Sequence, residues 1–146
     1  MEITINGLDE LVQGAQDALN AFPDELSTAL ALTINDIQQA AVDFAPFRTG
    51  ALRQSILPFM DSNTSGRITV GQPYGIFVEM GTNPHDILPI NKKALMWDGA
   101  SHPVKVVHHP GTAAEPFMEP AFEEGADIAQ EYFQEAADNL MARMAT

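Results

Sequence analysis

The stretch "FPDELSTALALTINDIQQAAVDFAP", residues 22–46, sets the architecture. Leu26, Leu30, Ile34, Ile37, Ala41 and Phe44 recur at spacings of three and four, which places them on one stripe of an α-helix. Pro23 suits a first helical position, and Asp24 and Glu25 are favourable beside the positive end of the helix dipole. Pro46 stops the run, so the expected helix spans 23–45 and is about 33 Å long at 1.5 Å per residue. Upstream, in an N-terminal segment 1–22, "LDELVQGAQDALNAF" carries a weaker helical pattern interrupted by Gly14.

The other end of the chain repeats the helical spacing. In "EPFMEPAFEEGADIAQEYFQEAADNLMARMAT", Phe122, Ala129, Phe133 and Leu140 share a stripe beside Ile128, Tyr132 and Ala136, which predicts a helix over 116–145 starting near Pro120. Between the helices, "LRQSILPF" and "RITVGQ" flank the turn-forming run "MDSNTSG", an antiparallel hairpin with Pro58 at an edge. "ALMWDG" and "VKVVHH" read as two more short strands, and "TNPHDILPINKK" and "DGASHP" as exposed loops, within a sheet region 52–108. The expectation is one α+β domain over 1–146: a small, mainly antiparallel sheet packed by two long helices, one N-terminal and one C-terminal.

Charge is unevenly spread. The chain of 146 residues has a net charge of −13, with eight acidic residues and no Lys or Arg in 1–47, and eight acidic residues against Arg143 alone in 115–146. The middle holds Arg48, Arg53, Arg67, Lys92, Lys93, Lys105 and all four histidines. A DNA-wrapping surface needs clustered cations over a wide face, and this distribution speaks against one. The absence of cysteine excludes disulfides, thiolate metal sites and cysteine nucleophiles. With no signal-like N-terminus and no apolar run near the ~20 residues that span a bilayer, a cytoplasmic protein without membrane contact is expected.

"YGIFVEMGTNPH", residues 74–85, reads as a buried strand with Glu79 among Phe77, Val78 and Met80. A carboxylate there needs a partner. "APFRTGALRQSI", residues 45–56, offers Arg48 and Arg53 on either side of a Thr49-Gly50 turn, and the amides of the Gly81-Thr82 turn are the alternative. On either reading Glu79 is a structural hub rather than a catalytic group.

A third motif, "HHPGTAAEPFMEPAF" at 108–122, completes a set. Arg48, Thr49, Gly50, Leu52, Arg53, Ser55 and Ile56, then Tyr74, Glu79, Gly81 and Thr82, then His109, Pro110, Gly111, Pro116, Phe117, Pro120 and Ala121 stand in an order that resembles the neck and tail-completion (minor tail component) proteins of long-tailed bacteriophages. The resemblance covers about residues 25–140. It implies a virion protein without catalytic activity or cofactor, assembling as a homo-oligomeric ring, a hexamer, near the head-tail junction. Its implied neighbours are the tail tube or terminator and head-closure proteins, with genome DNA passing as a non-specific neighbour. Its location would be the host cytoplasm during assembly, then the neck or tail of the particle. In such a ring the acidic ends are expected to border the lumen and repel the phosphates.

Other classes fit less well. His108 and His109 are adjacent and would point to opposite faces of a strand, and His85 and His102 sit in Pro-rich segments, so no metal site is expected. No Gly-x-Ser-x-Gly elbow, phosphate-cradling loop or dinucleotide fingerprint occurs. The competing class is an acidic protein that imitates DNA and blocks a DNA-binding partner.

Overall fold

A computed structural model describes residues 8–144 and shows an α+β protein. Residues 1–7, the start of the expected N-terminal segment, lie outside the described residues. The chain forms two compact units, one running to Gln72 and resuming at Phe117, the other Pro73–Pro116. The expected sheet region is thereby divided between them.

The first unit holds α1 (Leu8–Phe44), α2 (Ala51–Gln54), the hairpin β1 (Ile56–Ser62) and β2 (Ser65–Val70), and the C-terminal helix, α4 (Met118–Met144). The expected helix 23–45 is the second part of α1, which continues back through Pro23 and absorbs the weaker helical segment. An internal proline removes one helical hydrogen bond and costs about 3 kcal/mol. The helix survives because tertiary packing stabilises both sides of that point. Ile37 meets α4 at Gly125, and Gly14 faces the backbone of Met144, so α4 runs antiparallel along α1.

The seam is built from small residues. Ala29, Ala41, Ala121, Gly125 and Ala136 are buried, with Ile37 filling the space between the backbones at Gly125. A Cβ on Gly125 would lie 2.0 Å from Ile37 Cγ1, so only glycine allows this approach. Polar ties flank the apolar seam: the Tyr132 hydroxyl donates to Asp36 Oδ2 at 2.6 Å, and Arg143 pairs with Glu25 at 2.6 Å. The hydrogen bond to Asp36, followed by burial, holds the Tyr132 phenol above its usual pKa. Of the predicted stripe, Ile34, Ile37 and Ala41 are buried, whereas Phe44 is 46% exposed.

The hairpin forms in the predicted place, with Ile56 opposite Val70 and Ser62 opposite Ser65. Asp61 is left out of the pairing as a bulge and forms an ion pair with Arg67. Ile56 is 1% exposed, and Gly66 lies flat on α1, where a Cβ would strike Ile34 Cδ1. Gln38 Nε2 donates to the Ile56 carbonyl at 3.0 Å and pins the hairpin to α1. The start of "LRQSILPF", expected as strand, is instead the single turn α2, redirected by Gly50.

The second unit holds α3 (Gly75–Met80), β3 (His85–Ile87) and β4 (Val107–His109). "YGIFVEM" is therefore helical, not a buried strand: short apolar runs do not distinguish the two by periodicity, and Phe77 and Met80 face solvent here. "ALMWDG" contributes only the Leu95–Val104 bridge, and the expected loop "TNPHDILPINKK" contains β3. Within Pro73–Pro116 only Gly75 is buried, so this unit has no apolar core of its own. No helix among the described residues is long and apolar enough to cross a membrane.

The seam yields a test. Gly125→Ala gains about 1 kcal/mol of helix propensity but loses about 1–3 kcal/mol to overpacking. Because the obstructing atom is a Cγ held at a branch rather than a free chain end, the clash wins, and urea unfolding should show a net loss of about 1–2 kcal/mol. In the Ile37→Ala background the same substitution should cost less.

Candidate functional site

The Arg-Thr-Gly motif of the first unit is a device for ending α1. The last turn of α1 carries Asp43 and no basic residue, which is unfavourable at the negative end of a helix dipole. Arg53 supplies the missing cation from α2. Its Nε donates to the Ala45 carbonyl at 2.8 Å and its Nη2 to the Asp43 carbonyl at 3.4 Å, and the guanidinium lies 5.5 Å from the centre of the Phe47 ring. The chain returns to this point because Gly50 adopts φ 79°, with the Phe47 ring 3.1 Å from where a Cβ would stand. The Thr49 hydroxyl accepts from the Ala51 N–H, and Leu52 is buried. Arg48 is exposed.

Ser55 closes the same region. Its hydroxyl donates to the Leu52 carbonyl at 2.7 Å and accepts from the Gln72 N–H, while its carbonyl accepts from Gly71. Phe117, from the third motif, belongs to this unit and is 1% exposed. Pro120 occupies the first turn of α4, where a missing N–H costs nothing; Pro116 directly precedes Phe117.

The second and third motifs meet in the second unit. Thr82 and Thr112 exchange both backbone hydrogen bonds, at 2.9 and 3.1 Å, and the Thr82 hydroxyl also accepts from the Thr112 N–H. Each threonine follows a glycine in the left-handed region, Gly81 at φ 69° and Gly111 at φ 87°. A Cβ on Gly81 would stand 2.6 Å from the Thr112 carbonyl oxygen, and one on Gly111 2.2 Å from that of Thr82. The two Gly-Thr pairs are thus halves of one clasp, extended by the Glu115 N–H donating to the Val78 carbonyl. The sequence signal was present, since both motifs contain Gly-Thr, but nothing in the linear order paired them.

Beyond the clasp the strands continue as an antiparallel ribbon. His85 faces His109, and their rings stack with centroids 5.1 Å apart. His85 Nδ1 donates to the Asn83 carbonyl, while His109 Nδ1 accepts from the Gly111 N–H. His108 pairs with Asp86, and His102 lies beside the Ser101 hydroxyl. Among the described residues no three ligating side chains converge on a metal position. An open groove runs past Phe77, Thr82, His85, Ile87 and His109. Tyr74 is the N-cap of α3, and Glu79 stands on that helix, half-buried rather than enclosed in a strand.

Comparison with protein-family models, with curated proteins and with solved structures finds no match to this chain.

Two outcomes follow from these contacts. Arg53→Ala should lower stability by about 1–3 kcal/mol in urea unfolding, the range for hydrogen bonds from a charged donor, with Arg53→Lys recovering part of it. Gly111→Ala should open the clasp, and hydrogen exchange at the Thr82 and Thr112 amides should accelerate while α1 is unchanged. Gly99→Ala is the control: Gly99 has φ 89° but nothing within 4 Å, so only backbone strain of about 1–2 kcal/mol is expected there.

Proposed function

We propose that this chain is a structural protein of a tailed-phage virion, assembling as a ring at the tail end or head-tail junction and needed for tail completion and head-tail joining. The observation that carries the reading is the second unit. It exposes Phe77 at 57%, Met80 at 73%, Ile90 at 94% and Trp97 at 52%, and it buries no large side chain. Units of such small size are seldom stable without disulfides, metals or oligomerisation, and this chain has no cysteine. Exposed apolar side chains of this kind fit a protein whose core is completed by neighbouring subunits. The motif resemblance supplies the context: its Gly81 and Gly111 shape the turns of this unit, and no catalytic residue or cofactor is assigned.

The second reading, an acidic DNA mimic, draws on Asp127, Glu131, Glu135 and Asp138, spaced along the side of α4 away from Gly125 and Ala136. It needs no oligomer. Native mass spectrometry of the full chain separates the two: the ring reading expects a closed oligomer, and a stable monomer favours the mimic. In the virus, deletion should leave filled heads and tail tubes accumulating with few joined particles in electron micrographs of the lysate. A normal yield of infectious particles would refute the assembly role.

A further inference from the structure

The register of the second unit places Ile87 opposite Val107 and Leu95 opposite Val104. Only Lys105 and Val106 connect these positions on one side of the ribbon, whereas residues 88–94 must be accommodated on the other. The segment Leu88–Ala94 is therefore an excursion out of the ribbon. It carries Leu88 and Ile90, both exposed, and the exposed cations Lys92 and Lys93, with Met96 and Trp97 exposed just beyond it. It is an apolar knob with a positive charge.

The surface of α4 has the opposite character. Asp127, Glu131 and Glu135 follow at intervals of four, a like-charge spacing that destabilises a helix on its own, and Asp138 extends the row. The only basic residue of α4, Arg143, is taken by Glu25. Met141, three residues beyond Asp138, is exposed beside the end of the row, whereas Phe122 and Phe133 lie on the flank next to Gly125 and Ala136. The helix therefore presents uncompensated negative charge with Met141 at its end, a counterpart to the cations of the knob.

We propose that the Leu88–Ala94 excursion of one copy docks on the exposed side of α4 of the next copy, with Lys92 and Lys93 against the carboxylate row and Ile90 against Met141 at its end. The partner is a second copy of this chain, because both halves of the complementary pair are present in every copy. Two different patches on each subunit make a head-to-tail contact, which repeats around a ring when the rotation closes. The inference rests on the ring reading and specifies its interface. It also takes the α4 carboxylates away from the lumen, leaving that role to the acidic residues of α1.

The full chain, compared by sedimentation and native mass with two charge-reversed variants, provides the test. Lys92→Glu/Lys93→Glu and Glu131→Lys/Glu135→Lys should each raise the concentration for half-assembly at least about ten-fold, since like charges now face each other across the contact. Mixed in equal amounts, the two variants should reassemble, because every contact in an alternating ring then joins opposite charges. Reassembly also shows that both are folded. If both variants assemble as the parent does, or if the mixture stays dissociated, this interface is wrong although the ring reading stands. A parent chain that is monomeric at all concentrations overturns both. As a second readout, Lys93→Cys/Gln134→Cys in this cysteine-free chain should give an oxidised ladder beyond the dimer. A product confined to monomer or dimer overturns the head-to-tail contact.

Discussion

The close approach of α1 and α4 is the constraint on which the first unit depends. Gly125 lets the two backbones come together over Ile37, and the buried alanines on both helices extend that contact along the seam. Close contact without large side chains gains dispersion along a long line rather than from a few bulky anchors. It also explains how α1 tolerates Pro23: the helix is held on both sides of the proline by a partner helix and does not rely on its own hydrogen-bond ladder there. The hairpin then has a fixed surface to lie on, and Gly66 and Ile56 are the positions at which it does so.

The second unit is organised by a different principle. Its order comes from backbone pairing, in a clasp of two glycine-threonine pairs and a narrow ribbon, rather than from burial. Hydrogen bonds fix its shape but contribute little net stability each, about 0.5–1.5 kcal/mol. The apolar side chains that would ordinarily stabilise such a unit point outward. A ribbon held this way is suited to presenting a surface, and the apolar and cationic excursion at 88–94 is what it presents.

Much of the motif set was legible as chemistry before its geometry was known. Gly50, Gly81 and Gly111 all occupy the left-handed region, as turn glycines next to threonine or proline suggest. The role of Arg53 was not legible. The sequence offered it, with Arg48, as a partner for Glu79; the structure shows it donating to two carbonyls at the end of α1, where Asp43 leaves the helix no cation of its own.

The sequence by itself determined the two long helices, the hairpin with its turn at Asn63 and Thr64, the α+β class and the segregation of charge. These are local properties: periodicity, turn chemistry and counts along the chain, each readable without knowing what lies opposite. The tertiary structure decided the rest: the continuity of α1 through Pro23, the helical form of "GIFVEM", the pairing of Thr82 with Thr112 and the exposure of the second unit. Each depends on groups distant in sequence, and on free energies of one to a few kcal/mol that local preference is too weak to settle. A proline is overridden by a packed neighbour, and a strand-like apolar run turns helical where no sheet receives it.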